Sequence, residues 1–252
     1  MSLHILFLIV ILIIVGIAAG IVSTVSGLAS LVAYPALLLL GLSPIDANVT
    51  DTLALVFNGI SSTLSSRREL RGHWHEMMII LPVTLIGCIV GSLLLFAIPA
   101  GDFKKVVPLF ILLAAVLILI PKHNSKNKQR SRFVTLLLWF GVFLVGVYSG
   151  YFGAASGVVM LALLAFLIDA PFAEYNAEKN TALGAANIVS SIVYMTKVKI
   201  KWLFVIPLGI GFLIGGYTGP KIVRYVPEKP LKILISIGAF ILSTVLFIQN
   251  LR

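Results

Sequence analysis

The run LHILFLIVILIIVGIAAGIVSTVSG (residues 3–27) contains no Asp, Glu, Lys or Arg and closes on Gly16, Gly20, Ser23, Thr24, Ser26 and Gly27. A helix rises about 1.5 Å per residue and the hydrocarbon core of a bilayer is about 30 Å thick, so about 20 apolar residues make one crossing. The run therefore reads as a membrane helix whose end gives way to small polar residues. It lacks the basic flank and cleavage signature of a secretory signal and is expected to be retained.

Outward from this run the same composition continues. The 252 residues are 60% hydrophobic and only 11% charged, with a mean hydropathy of +1.10; an ordinary soluble domain is about a quarter charged. Too few charges remain to cover a water-soluble globule. Ten apolar segments follow one another, at 3–22, 28–40, 47–65, 77–98 and 103–120, then 133–147, 155–168, 177–195, 202–222 and 231–248. The fold class is an all-α polytopic membrane protein. The net charge of +10 reads as the positive-inside bias of loops, and no nucleic-acid partner is expected.

Residues 121–132 hold no aliphatic or aromatic side chain and divide the chain nearly in half. The halves resemble each other. Gly16, Gly20, Ser26 and Gly27 return as Gly146, Gly150, Ser156 and Gly157 at an offset of 130. Asp51, Thr52, Asn58, Ser61 and Ser62 return as Asn180, Thr181, Asn187, Ser190 and Ser191 at 129, and Gly87 and Gly91 as Gly211 and Gly215 at 124. The organisation is thus repeat 1 (1–121), a basic cytoplasmic linker (122–132) and repeat 2 (133–252), each repeat having four to five transmembrane or re-entrant helices, eight to ten apolar segments in total. If the third segment of each half is re-entrant, the halves are parallel. If all five segments cross, they are inverted, and the Lys197, Lys199 and Lys201 cluster changes sides. Charge counting does not choose between the two.

Each half opens on a helix ending in Gly-x-x-x-Gly, then a short polar stretch and a second apolar run of about 14 residues. Small residues at that spacing let helices approach closely. A fresh helix starting near Ser26 or Ser156 would aim unpaired N–H groups and the positive end of its dipole at a cavity, which binds an anion without a lysine. In the third segment, Asp51, Asn58 and Ser62 recur at spacings of seven and four and share one helical face; Asn180, Asn187 and Ser191 repeat the pattern. In lipid such a stripe faces the bundle interior, either as interhelical glue or as the lining of a substrate path. The candidate binding residues are Ser26, Gly27, Asn58, Ser62, Ser156, Gly157, Asn187 and Ser191. Asp51, an acid at membrane depth, and its counterpart Asn180 are candidates for coupling or gating. For Lys179, pairing with Glu178 or Glu174 at the surface is favoured over attraction of an anion.

Trp74, Trp139 and Trp202 lie near segment ends, as interfacial anchors do, and Tyr34, Tyr148, Tyr151 and Tyr194 are expected to be structural. Cys88 stands alone in an apolar stretch and reads as a small buried hydrophobe. The four histidines show no metal spacing, and no Walker, His-Glu-x-x-His or nucleophile-elbow pattern occurs; no cofactor, no metal and no enzyme activity are expected.

The order of these features resembles the TauE/SafE family of sulfite exporters, also called the 4-toluene sulfonate uptake permease family. The early glycine-rich helix with its Ser-Gly break, the Leu40-Gly41 turn, the Ala/Asn/Thr-rich stretch 47–52, the basic cluster before Trp74 and the repetition after a basic linker carry the likeness. It implies a secondary transporter of the bacterial cytoplasmic membrane moving organosulfur compounds or sulfur oxyanions such as sulfite or sulfonates. Apart from the resemblance, a coupling proton or cation and a homo-oligomeric assembly are among the partners considered. Ser26-Gly27 and Ser156-Gly157 are followed by Leu28 and Val158, where many relatives run more glycines. A transporter of another small organic anion, and a scaffold subunit that captures a partner through the basic linker, are the alternatives.

Overall fold

A computed structural model describes residues 3–97, 112, 116 and 132–251. The fifth apolar segment (103–120, apart from helical residues 112 and 116) and the basic linker up to residue 131 lie outside the described residues. Among the described residues the chain is helical throughout: α1 (Leu3–Ser26), α2 (Ser30–Leu39), α3 (Pro44–Ser65), α4 (Trp74–Ala97), α5 (Arg132–Tyr151), α6 (Ser156–Leu167), α7 (Phe172–Met195), α8 (Trp202–Tyr225) and α9 (Glu228–Leu251). Helices α1, α4, α5 and α8 are long and apolar enough to cross a bilayer, and α2 and α6 are short apolar helices. Large apolar side chains such as Phe7, Ile14, Leu39, Leu136 and Ile192 are exposed, while Thr24, Asn48, Asn58, Ser62 and Lys179 are buried. Apolar residues outward and polar residues inward is the arrangement lipid selects.

Local chemistry sets the boundaries. Helix α1 runs four residues beyond the apolar segment, and there Thr24 and Ser26 bond back to their own helix, Thr24 Oγ1 donating to the Gly20 carbonyl at 3.0 Å and Ser26 Oγ to that of Val22 at 2.7 Å. Their hydroxyls are thereby satisfied without a partner helix. Gly27, at φ +79°, then takes the chain out of α1. The new helix starts at Ser30, not at Ser26. Helix α3 begins three residues ahead of its apolar run, with Ser43 accepting from the Asp46 N–H at 3.1 Å and Pro44 in the first turn. In the second half Ala155 sits in the left-handed region at φ 62° immediately before α6, a conformation costing a non-glycine residue roughly 1–2 kcal/mol.

Glycines set how closely the helices pack. A Cβ at Gly16 would strike the Leu208 carbonyl and Gly211, and one at Gly20 would strike Gly215, so α1 and α8 lie backbone to backbone. Helices α4 and α5 meet likewise, with Gly146 against Thr84, Gly150 against Cys88 and Gly91 against Val147. Residue numbers rise together along both seams, so each pair is parallel. Helices α3 and α7 cross with Gly59 against Gly184, and Gly27 touches Gly157 where the two chain breaks meet.

Polar contacts fix the directions of the remaining helices. Arg224, at the end of α8, pairs with Glu69 after α3 at 2.6 Å, and His73, before α4, bonds Glu174 in the first turn of α7 at 2.9 Å. The end of α3, the start of α4, the start of α7 and the end of α8 therefore share one end of the molecule. Helix α1 runs toward that end and α5 away from it; α3 runs toward it and α7 away. The bases from Lys221 to Lys229 accordingly lie with Arg67, Arg68 and Arg71, and the Lys197 to Lys201 cluster lies at the opposite end.

Candidate functional site

The two chain breaks enclose a cavity of about 40 Å³ lined by Gly27 and Ser30 on one side, Ser156 and Gly157 on the other, and α3 and α7 between them. Helix α2 follows Ala29 and α6 follows Ala155, and neither cap residue supplies a side-chain hydrogen bond. Two helix N-termini thus face one small polar cavity.

Helices α3 and α7 bring the polar stripes to this point. Asp51, Asn58, Asn180 and Asn187 all line the cavity. Asp51 Oδ2 accepts from Ser30 Oγ at 2.8 Å, and its Oδ1 is buried without a donor. Asn180 Nδ2 donates to the Thr24 carbonyl at 3.2 Å. Asn58 is oriented with its amide nitrogen toward the Gly20 and Phe212 carbonyls, 3.3 Å from each, and its oxygen accepting from Ser23 Oγ at 3.0 Å. Its donors are therefore committed to α1 and α8. Asn187 has no hydrogen-bond partner among the described residues, which leaves its amide free at the cavity wall.

Of the other sequence candidates, Gly27, Ser156 and Gly157 line the cavity, whereas Ser26, Ser62 and Ser191 do not. Ser26 spends its hydroxyl on Val22. Ser62 lies one turn past the cavity and donates to the Gly59 carbonyl at 3.2 Å; Ser191 is buried with its Oγ unpartnered. The stripe shares a face as expected, but the cavity spans less of the helix than the stripe does.

Lys179 corrects the expectation of a surface ion pair. It is 1% exposed, lines the cavity, and its Nζ donates to the Ser23 and Thr24 carbonyls at 3.2 and 3.4 Å. Among the described residues no ion pair joins it to Asp51 or to any other carboxylate. Ser23, Ser30 and Ser149 are further lining residues that pattern reading passed over; Ser23 alone carried a signal, as a polar residue at the end of an apolar helix. Cys88 is buried as expected but not in apolar company, with Sγ 2.9 Å from Ser190 Oγ and 3.1 Å from the Ala186 carbonyl. Tyr148 Oη donates to the Ala154 carbonyl at 2.6 Å, and the buried Tyr194 donates to that of Gly150.

Fold and site together define a multi-pass helical membrane protein with a central polar cavity. The model of the sulfite exporter TauE/SafE family matches residues 12–246, and the chain belongs to that family. It is similar to the Probable membrane transporter protein YfcA of Escherichia coli strain K12, 23% identical over 237 residues, which cover 94% of this chain and 88% of that protein. A Probable membrane transporter protein of Haemophilus influenzae is 26% identical over 238 residues, 94% of this chain and 93% of that protein. The Probable membrane transporter protein YunE of Bacillus subtilis is 23% identical, with 96% and 98% covered. No solved structure matches the chain significantly. The family is one of membrane transporters, which argues against an enzyme.

Proposed function

We propose that this protein is a secondary transporter of the cytoplasmic membrane that moves a small anion of the sulfite or organosulfonate type by alternating access between two inverted repeats. The observation that carries the anion reading is Lys179, a fully buried amine without a carboxylate partner among the described residues, in a cavity that also holds the free amide of Asn187. An amine buried without a counter-ion is costly to keep charged. An anion in the cavity would relieve that cost, and the N-termini of α2 and α6 would add to its binding. The small size of the cavity suits a compact ion, and the family description names sulfite.

The glycine seams support the duplication. The offsets that map Gly16 and Gly20 onto Gly146 and Gly150, and Gly87 and Gly91 onto Gly211 and Gly215, turn the α1–α8 seam into the α5–α4 seam. Opposite directions of α1 and α5, of α3 and α7, and of α4 and α8 favour inverted over parallel halves. A site at the interface of inverted repeats is where secondary transporters of this architecture bind substrate. Asp51 and Asn180, which the repeat pairs, flank that site and are assigned to gating.

The test is a flux screen in proteoliposomes with sulfite, thiosulfate, sulfonates and carboxylates. Saturable flux of a sulfur anion that falls at least tenfold in Asn187→Leu is the expected result. Flux of carboxylates alone would move the substrate to another anion class, and no flux of any anion would overturn the reading.

A further inference from the structure

A second polar cluster lies outside the cavity, at the end of the molecule where α3 ends and α7 begins. His73 Nε2 is hydrogen-bonded to Glu174 Oε2 at 2.9 Å, while its Nδ1, which makes no hydrogen bond, lies 3.2 Å from Glu178 Oε1 and 4.0 Å from Glu76 Oε2. Glu178 is completely buried, and neither of its oxygens has a hydrogen-bond donor. Of the other charged groups on the surrounding elements, Arg224 of α8 is held by Glu69, Glu228 of α9 is paired with Lys232, and Arg71, His75, Asp169 and Lys229 are exposed.

Proton counting decides what this geometry holds. A neutral imidazole has one N–H and one lone pair. A neutral ring that spends its N–H on Glu174 leaves the Nδ1 lone pair 3.2 Å from the Glu178 carboxylate. Glu178, sealed from water and without a donor, would add an uncompensated buried charge. One further proton, on Glu178, removes both the uncompensated buried charge and the clash of that charge with the Nδ1 lone pair.

The position gives that proton a consequence. His73 belongs to the connection before α4, whereas Glu174 and Glu178 are one turn apart on α7. The next residues of α7, Lys179 and Asn180, line the cavity and hold the carbonyls at the end of α1. One stretch of helix therefore carries the cluster on one face and the cavity on another.

We infer that the cluster of His73, Glu174 and Glu178 is the proton-binding site that couples transport, clamping α7 to the first half when protonated and releasing it when the proton leaves. This rests on the transport reading above and assigns coupling to a site separate from the gating pair at the cavity. Uncharged Gln at 178 mimics the protonated acid and cannot release.

Two measurements test it. In proteoliposomes, a pH gradient should drive accumulation of the transported anion by the wild type and fail to do so with Glu178→Gln or His73→Gln. Equal gradient-driven accumulation by wild type and both variants would overturn the inference. The second readout needs no flux: Asn187→Cys in a Cys88→Ala background is labelled by a soluble maleimide from pH 6 to 8.5, with and without Glu178→Gln. Dividing one rate by the other cancels the ionisation of the thiol itself. A ratio rising at least threefold with pH supports a proton-released clamp, and a flat ratio overturns it. Total absence of flux would sink the transport reading while the labelling still judged the cluster.

Discussion

Lys179 and Glu178 are neighbours in the chain yet serve different sites, because consecutive helical residues point about 100° apart. That angle is why proximity to Glu178 and Glu174 in the sequence suggested a surface ion pair, whereas the fold turns the ammonium to the carbonyls of Ser23 and Thr24. The buried amine makes a prediction of opposite sign for stability and function. Replacing it by Met removes a buried ionisable group that has no counter-ion, so Lys179→Met should raise Tm by a few degrees while anion binding falls at least tenfold, about 1.4 kcal/mol. Thermal melting and isothermal titration with sulfite check the two halves. A drop in Tm would mean that the two carbonyl contacts stabilise more than the burial costs. Asn58 and Asn187 divide in a related way. Asn58 gives its donors to Gly20 and Phe212, so Asn58→Leu should lower Tm as well as flux, whereas Asn187→Leu should lower flux with Tm nearly unchanged. Sequence pattern placed both asparagines on an inward face but could not say which was committed, since that depends on carbonyls of helices remote in the chain.

Among the elements, the glycine seams were legible in the sequence because Gly-x-x-x-Gly admits close approach whatever its partner. The partners were not legible. The α1–α8 and α4–α5 pairings join residues far apart in the chain, and no local pattern encodes them. A side chain at Gly146 would meet the Thr84 backbone, whereas one at Gly141 would meet only the movable Leu163 side chain at 3.1 Å. Gly146→Val should therefore cost about 1–3 kcal/mol or more through overpacking, and Gly141→Ala should be tolerated. The fraction of monodisperse protein and its Tm in detergent measure both; equal behaviour would deny that the seam is backbone to backbone. Helix starts followed capping chemistry at Ser43 and Pro44, but the start of α2 was displaced from Ser26 to Ser30. Side-chain bonds back to Gly20 and Val22 satisfy the hydroxyls of Thr24 and Ser26 within α1, which runs through residues that otherwise read as a break.

For the whole molecule, composition alone gave a membrane-embedded helical protein, and the repeat offsets suggested two related halves; only the directions of the helices distinguish inverted from parallel. In a Cys88→Ala background, Arg68→Cys and Lys229→Cys should react with an impermeant maleimide from one face of the membrane and Lys199→Cys from the other. Labelling of all three from one face would contradict the helix directions. The central claim is that a small sulfur anion crosses the membrane through the cavity between the broken helices. Its most direct test is radiolabelled sulfite flux into proteoliposomes by the wild type, Asn187→Leu and Lys179→Met. The account requires saturable wild-type flux and at least tenfold losses in both variants, each still folded by its melting curve; undiminished flux in both folded variants would contradict it.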